Sequence, residues 1–164
     1  MTQILARQVI ETAGDAGWMI CTIESCTGGM VFAALTDIAG SSAVMDRGFV
    51  TYSNQAKIDI LRVSNATLEQ YGAVSEQTAR AMVDGTLIAA PMAGLALSVT
   101  GIAGPGGGGP GGGGQDKPVG LVHFACQRRD APQTHAMHIF SGDRHMVRQQ
   151  AVRTALMMIA DALA

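Results

Sequence analysis

The chain has 164 residues, of which 48% are apolar and 15% charged, with a net charge of −2. That length makes one domain whose core needs neither disulfides nor a metal, and the negative balance argues against a general nucleic-acid binder. So few charges point to a surface partly buried between subunits, hence a homo-oligomer. Cys21, Cys26 and Cys126 form an odd set without a C-x-x-C pair, which supports neither a disulfide framework nor a thiolate metal site and fits a reducing cytoplasm. The N-terminus carries no signal-peptide pattern, and no apolar run is long enough to span a membrane.

In chain order, Ile4, Leu5, Val9, Ile10 and Ala13 recur at helical spacing and predict an amphipathic helix over 3–15, ended near Gly14 and Gly17. The apolar run Trp18–Ile23 has strand length, and Met30–Leu35 is an Ala-rich helical run with Thr27 placed as its N-cap. Between them lies Glu24-Ser25-Cys26-Thr27-Gly28-Gly29, which reads as a tight strand-to-helix turn. Such a turn leaves backbone N–H groups unpaired at the helix start. Two hydroxyls (Ser25, Thr27) and a thiol (Cys26) stand there, and Gly28 and Gly29 let another molecule approach closely. The residues alone leave open whether Ser25 or Cys26 is a nucleophile, or whether this is a capped turn without chemistry.

Further on, Arg47–Ser53 reads as a strand, and Asn54 as the N-cap of a helix over Gln55–Leu61. Helices follow near Ala66–Tyr71 and over Glu76–Ala90, the latter capped by Ser75 and stopped by Pro91. Leu95–Thr100 is a strand of the buried type; Val119–Cys126 and Thr134–Phe140 form a hairpin around Asp130-Ala131-Pro132. The last helix starts at Asp143 with Val147, Ala151, Ala155, Met158 and Ile159 along one stripe. Alternating elements early and paired strands later predict a single-domain three-layer α/β/α sandwich with a mixed β-sheet. No repeat or interdomain linker interrupts residues 1–164.

The glycine-rich loop 104–115 matches G-x-G-x-x-G over Gly104–Gly109, but no helix follows, so the dinucleotide fingerprint fails in context. A Walker-type loop fails as well, because Asp116 precedes Lys117 and Pro118 follows it. Residues 106–115 read as a mobile surface loop. Thr100-Gly101-Ile102-Ala103-Gly104 at its root lies directly after a buried strand, where α/β proteins bind ligands.

The four histidines make no ligand set: His135 and His138 differ by three on a strand and face opposite ways. Tyr52 ends a strand and Lys57 enters the first turn of the next helix. The helix dipole and burial both favour a neutral amine there, able to act as general base for a serine, with a tyrosine to relay the proton. An exposed lysine beside a core tyrosine is the plainer alternative. Arg144 and Arg148 share a face at the start of the last helix, suited to a phosphate or carboxylate, or else to solvent and Asp143.

Taken together, several stretches resemble the CinA C-terminal domain family of nicotinamide-nucleotide amidases. They are the Glu24–Gly29 turn, Thr51-Tyr52-Ser53-Asn54 with Ala56-Lys57, and Gly72-Ala73-Val74-Ser75. Thr100–Pro105, Lys117-Pro118-Val119-Gly120, and Gly142-Asp143-Arg144 with Arg148 complete the set, in order along nearly the whole chain. The resemblance implies hydrolysis of the carboxamide of nicotinamide mononucleotide, with Ser25 as nucleophile, Tyr52 and Lys57 as its partners, and no metal or cofactor. Substrate contacts are expected from Cys26, Thr27, Gly28, Gly29, Thr100, Gly101, Gly104, Arg144 and Arg148. Backbone N–H groups from Cys26 to Gly29 would hold the oxyanion. Gly106–Gly114 is longer and richer in glycine than the family's usual loop, so no contact beyond Gly104 is carried over. The competing expectation is a non-catalytic nucleotide-sensing or partner-binding module of the competence/damage-inducible type.

Overall fold

The structure is a computed structural model, and it describes residues 1–106 and 117–164. Most of the glycine-rich loop therefore lies outside the described residues.

Five strands form one mixed sheet: β1 (Ile20–Glu24), β2 (Met45–Val50), β3 (Leu95–Gly101), β4 (Leu121–Arg128) and β5 (Thr134–Ile139), in the order β2-β1-β3-β4-β5. β1 runs parallel to both β2 and β3, whereas β3, β4 and β5 pair antiparallel. Every residue of β1 is buried, as expected for a strand covered on both faces. Six helices supply that cover: α1 (Thr2–Ala16), α2 (Met30–Thr36), α3 (Asn54–Leu61), α4 (Asn65–Tyr71), α5 (Glu76–Ala89) and α6 (Arg144–Leu163).

On one face Val9 and Ala13 of α1, Leu35 of α2, and Val147, Ala151, Ala155 and Ile159 of α6 pack on Leu95, Leu97 and Phe124. On the other, Leu61, Leu68 and Met82 from α3, α4 and α5 meet Ile23, Ala96 and Ala125. This is the three-layer α/β/α sandwich with a mixed sheet that the sequence predicted. Among the described residues no helix is long and apolar enough to cross a membrane.

Several boundaries move, each for a physical reason. Trp18 lies before β1 and places its ring against Gly94, where any Cβ would fall 2.1 Å from Trp18 Cε3. β2 stops at Val50, short of the expected Ser53, because Ser53 turns to cap α3, its hydroxyl accepting from the Ala56 N–H at 3.0 Å. Asn54 is therefore the first helical residue and not the cap. Ser75 and Asp143 do cap α5 and α6 as expected. Ile4 is 72% exposed, so the buried stripe of α1 is Ala6, Val9, Ile10 and Ala13.

The connection from β1 leads outward through α2 to β2. The chain then crosses back over the opposite face through α3, α4 and α5 to β3, on the other side of β1. The carboxyl ends of β1 and β3 are thus where the winding reverses, the position at which open α/β sheets hold ligands.

Candidate active site

The turn after β1 is fixed by a residue the sequence reading passed over. Thr27 does not cap α2; its N-cap is Gly29, at φ 99°, and the caps come from Glu24. This carboxylate is 1% exposed and accepts N–H bonds from Gly29 at 3.0 Å, Val31 at 3.0 Å and Phe32 at 2.8 Å. A negative group at a helix start meets both the dipole and the orphan donors. Glu24 thereby uses the very donors that would otherwise greet a ligand, and only the turn itself is left to do so. Within it the Gly28 N–H bonds the Ser25 carbonyl at 3.1 Å. Among the described residues, neither the Cys26 nor the Thr27 N–H bonds another residue; the Cys26 N–H lies against its own sulfur.

Ser25 follows β1 directly, and its own N–H bonds Val99 of β3 at 2.9 Å. Lys57 reaches it from α3. Its side chain is 1% exposed; Nζ lies 3.2 Å from Ser25 Oγ, 2.7 Å from the Thr51 carbonyl and 3.5 Å from the Tyr52 carbonyl. The Thr51 N–H in turn bonds the Glu24 carbonyl at 2.9 Å, tying the exit of β2 to that of β1. Burial pushes the Lys57 ammonium down to about 8, against an opposing pull from Cys26. No carboxylate forms an ion pair with Lys57 among the described residues. The plainer sequence alternative is thus reversed: the lysine is buried, and Tyr52 is 66% exposed.

A cavity of ≈ 240 Å³ opens in front of this pair, lined among others by Ser25, Cys26, Tyr52, Lys57, Thr100 and Arg144. The Tyr52 side chain stands at its rim without a hydrogen bond to Ser25 or Lys57. Burial drives the Cys26 thiol up to about 12, the condition of an inert thiol. Gly101 lines the cavity too, although its missing side chain is required elsewhere: a Cβ there would sit 2.7 Å from Val122 and 2.8 Å from the Leu121 carbonyl.

The remaining sequence candidates divide. Arg144 lines the cavity and donates to the Pro105 carbonyl at 3.2 Å, and Gly104 lies beneath it, 3.1 Å separating a notional Cβ from the arginine. Arg148 does not line the cavity. Its guanidinium donates to the carbonyls of Cys26 at 3.1 Å and Thr27 at 2.9 Å. Thr27 is buried, and its hydroxyl has no partner among the described residues. Gly28 and Gly29 shape the turn through positive φ and do not line the cavity.

Sequence reasoning missed the opposite wall, formed by Ala73 and Val74. Its carbonyls are held one by one: Thr100 Oγ1 donates to Ala73 at 2.7 Å, and Lys117 Nζ to Tyr71 at 2.7 Å and Val74 at 2.6 Å. Ser75 and Thr78 hydroxyls both donate to Gly72. Thr100 hence spends its proton on the wall. Among the histidines, His123 Nδ1 and His135 Nε2 lie 3.0 Å apart, whereas His138 stacks on Phe140, so His135 and His138 do face opposite ways.

Comparison with known proteins gives a consistent picture. The family model described as "CinA C-terminal domain" matches residues 2–163. A nicotinamide-nucleotide amidohydrolase PncC of Enterobacter agglomerans is 56% identical over 135 residues, covering 82% of this chain and 79% of its own. The protein of the same name from Escherichia coli K12 is 46% identical over 160 residues, or 95% and 93% of the two chains. Among solved structures, the competence/damage inducible protein CihA from Agrobacterium tumefaciens superposes with a TM-score of 0.92 at 48% identity, covering 99% of this chain and 96% of that one.

Proposed function

The chain belongs to the CinA C-terminal domain family, and from that membership we propose that it hydrolyses the carboxamide of nicotinamide mononucleotide to nicotinate mononucleotide and ammonia. The observation that carries the chemistry is the 3.2 Å approach of the buried Lys57 amine to the Ser25 hydroxyl.

An amide is a poor electrophile, so the reaction needs an activated hydroxyl and donors ready for the developing charge. A neutral Lys57 has two N–H bonds to give, and the Thr51 and Tyr52 carbonyls lie in reach of them. The amine lone pair is then left for the Ser25 proton. Ser25 Oγ attacks the carboxamide carbon as its proton passes to Lys57. The oxyanion is met by the N–H groups of Cys26 and Thr27, the two donors of the turn that no other described residue takes up. The tetrahedral adduct collapses with cleavage of the C–N bond, Lys57 returning the proton to the departing ammonia. Water then attacks the ester carbon as Lys57 takes its proton, and Lys57 returns that proton to Ser25 Oγ as the acyl–oxygen bond breaks, restoring the free hydroxyl and the neutral amine. Because Lys57 meets Ser25 directly, no relay through Tyr52 is needed, and the tyrosine acts beside the bound substrate at the cavity rim. Arg144, on the cavity wall at the start of α6, takes the phosphate.

A nucleotide-sensing module is the weaker reading. A sensor has no need of a buried lysine without a carboxylate partner, whereas a general base does. The test is ammonia release from nicotinamide mononucleotide. The parent and Cys26→Ala release it, and Ser25→Ala does not while keeping its circular dichroism spectrum. An active Ser25→Ala protein would remove Ser25 from the role.

A further inference from the structure

The Arg148 guanidinium has an unusual pair of partners for a cation beside the turn that borders the cavity. It faces two neutral carbonyls, those of Cys26 and Thr27, reached across 122 and 121 residues of chain. No carboxylate pairs with it among the described residues. It also lies tight against the turn, with Nη2 3.4 Å from where a Cβ on Gly28 would fall.

In a trans peptide the C=O and N–H point to opposite sides of one rigid plane. Holding the Cys26 carbonyl toward α6 therefore turns the Thr27 N–H away from α6. Holding the Thr27 carbonyl does the same for the Gly28 N–H, which goes to the Ser25 carbonyl at 3.1 Å. That bond fixes the third plane, which carries the Cys26 N–H. Three consecutive peptide planes after the nucleophile are thus set by one arginine and one turn bond. A cation on the carbonyl side also polarises each amide, which strengthens the N–H on the other side.

We propose that Arg148 is a positioning residue: it orients and polarises the Thr27 N–H directly, sets the Cys26 N–H through the Gly28–Ser25 turn bond, and so arranges the two groups that meet the oxyanion, and it does not bind the substrate phosphate. This rests on the amidase reading above. A positioning role predicts a loss in kcat shared equally by every substrate, because the oxyanion forms on all of them. A phosphate contact predicts a loss confined to substrates that carry phosphate.

The experiment uses the full chain with Arg148→Met and Arg148→Lys, assayed on nicotinamide mononucleotide and on nicotinamide riboside. Arg148→Met is expected to lower kcat by about 10- to 100-fold on both substrates, with KM changed by less than about threefold. Arg148→Lys, which can reach only one carbonyl at a time, recovers part of the loss. A loss seen on the nucleotide alone, or an unchanged kcat, overturns the proposal. If the Met variant does not fold, the Lys variant decides by the same comparison of substrates. A second readout does not depend on turnover: the amide resonances of Cys26 and Thr27 in nitrogen-15 spectra move on Arg148→Lys, and unmoved resonances refute the positioning role. A parent enzyme inactive on both substrates would instead overturn the amidase reading, and the resonances would still judge Arg148.

Discussion

Replacing Lys57 by methionine tests the electrostatics of the site through folding as well as through rate. Burial moves this lysine from an ordinary 10.5 to about 8, which corresponds to about 3 kcal/mol of penalty on the protonated form in the folded state. Below pH 8 the folded protein bears the whole penalty. Between 8 and 10.5 the folded state has lost the proton while the unfolded chain keeps it, so stability climbs with pH; above 10.5 the difference vanishes. Methionine removes the penalty but leaves the buried Thr51 carbonyl without its 2.7 Å donor, a cost of about 1–3 kcal/mol. The two effects nearly cancel at neutral pH, so a single unfolding curve decides little. The diagnostic is the difference: from about pH 7 to about pH 10 the parent gains about 2 kcal/mol relative to Lys57→Met in urea unfolding. The same shift gives kcat/KM a rising limb near 8, with about 50-fold between pH 6 and pH 8 for a base that must be neutral. Lys57→Arg stays inactive at every pH, since a guanidinium keeps its proton. Parallel pH profiles for parent and Lys57→Met would show an ordinary solvated ammonium and refute the general-base argument.

Glu24→Gln turns an NH2 group toward the N–H groups of α2, and is expected to cost about 2–3 kcal/mol, read as a fall of roughly 5–10 °C in thermal unfolding. Arg144→Ala should lower kcat/KM for nicotinamide mononucleotide by about one to two orders of magnitude and barely affect the riboside; equal losses on both would place the phosphate elsewhere. With its thiol pushed up to about 12, Cys26 should resist iodoacetamide in the folded protein and react only after unfolding, as followed by mass spectrometry. Rapid labelling of the native protein would contradict its burial.

The sandwich was legible because β1 and β3 are unbroken apolar runs and because Ser75 and Asp143 are caps placed where capping rules look for them. The cap of α2 was hidden for the opposite reason. Glu24 belongs to the preceding strand and reaches forward five residues and more, whereas Thr27, three residues before the helix, has the right chemistry in the wrong place. The nearness of Ser25 and Lys57 was suggested by family resemblance, and no local rule joins residues 32 apart in sequence. Arg144 and Arg148 share a helix face in sequence, yet one turn of α6 separates a cavity wall from a contact with the nucleophile's turn. The Ala73–Val74 wall carries no chemical side chain, so Gly72–Ser75 entered only as part of the family resemblance, and its place at the site emerged from Thr100 and Lys117 holding its carbonyls.

The grips of Arg144 on the Pro105 carbonyl and of Lys117 on the Tyr71 and Val74 carbonyls also bear on protein engineering. They moor the chain separately on either side of the glycine-rich stretch, close to Gly106 at one end and at Lys117 itself at the other. Each of these bonds joins described residues, and none of them runs through the stretch between. Closing a longer connection is cheap, since each doubling of its length costs only about 0.6 kcal/mol. A reporter domain or affinity tag spliced between Gly106 and Lys117 is accordingly expected to leave the Arg144 and Lys117 bonds in place, and ammonia release from the fused protein is the check.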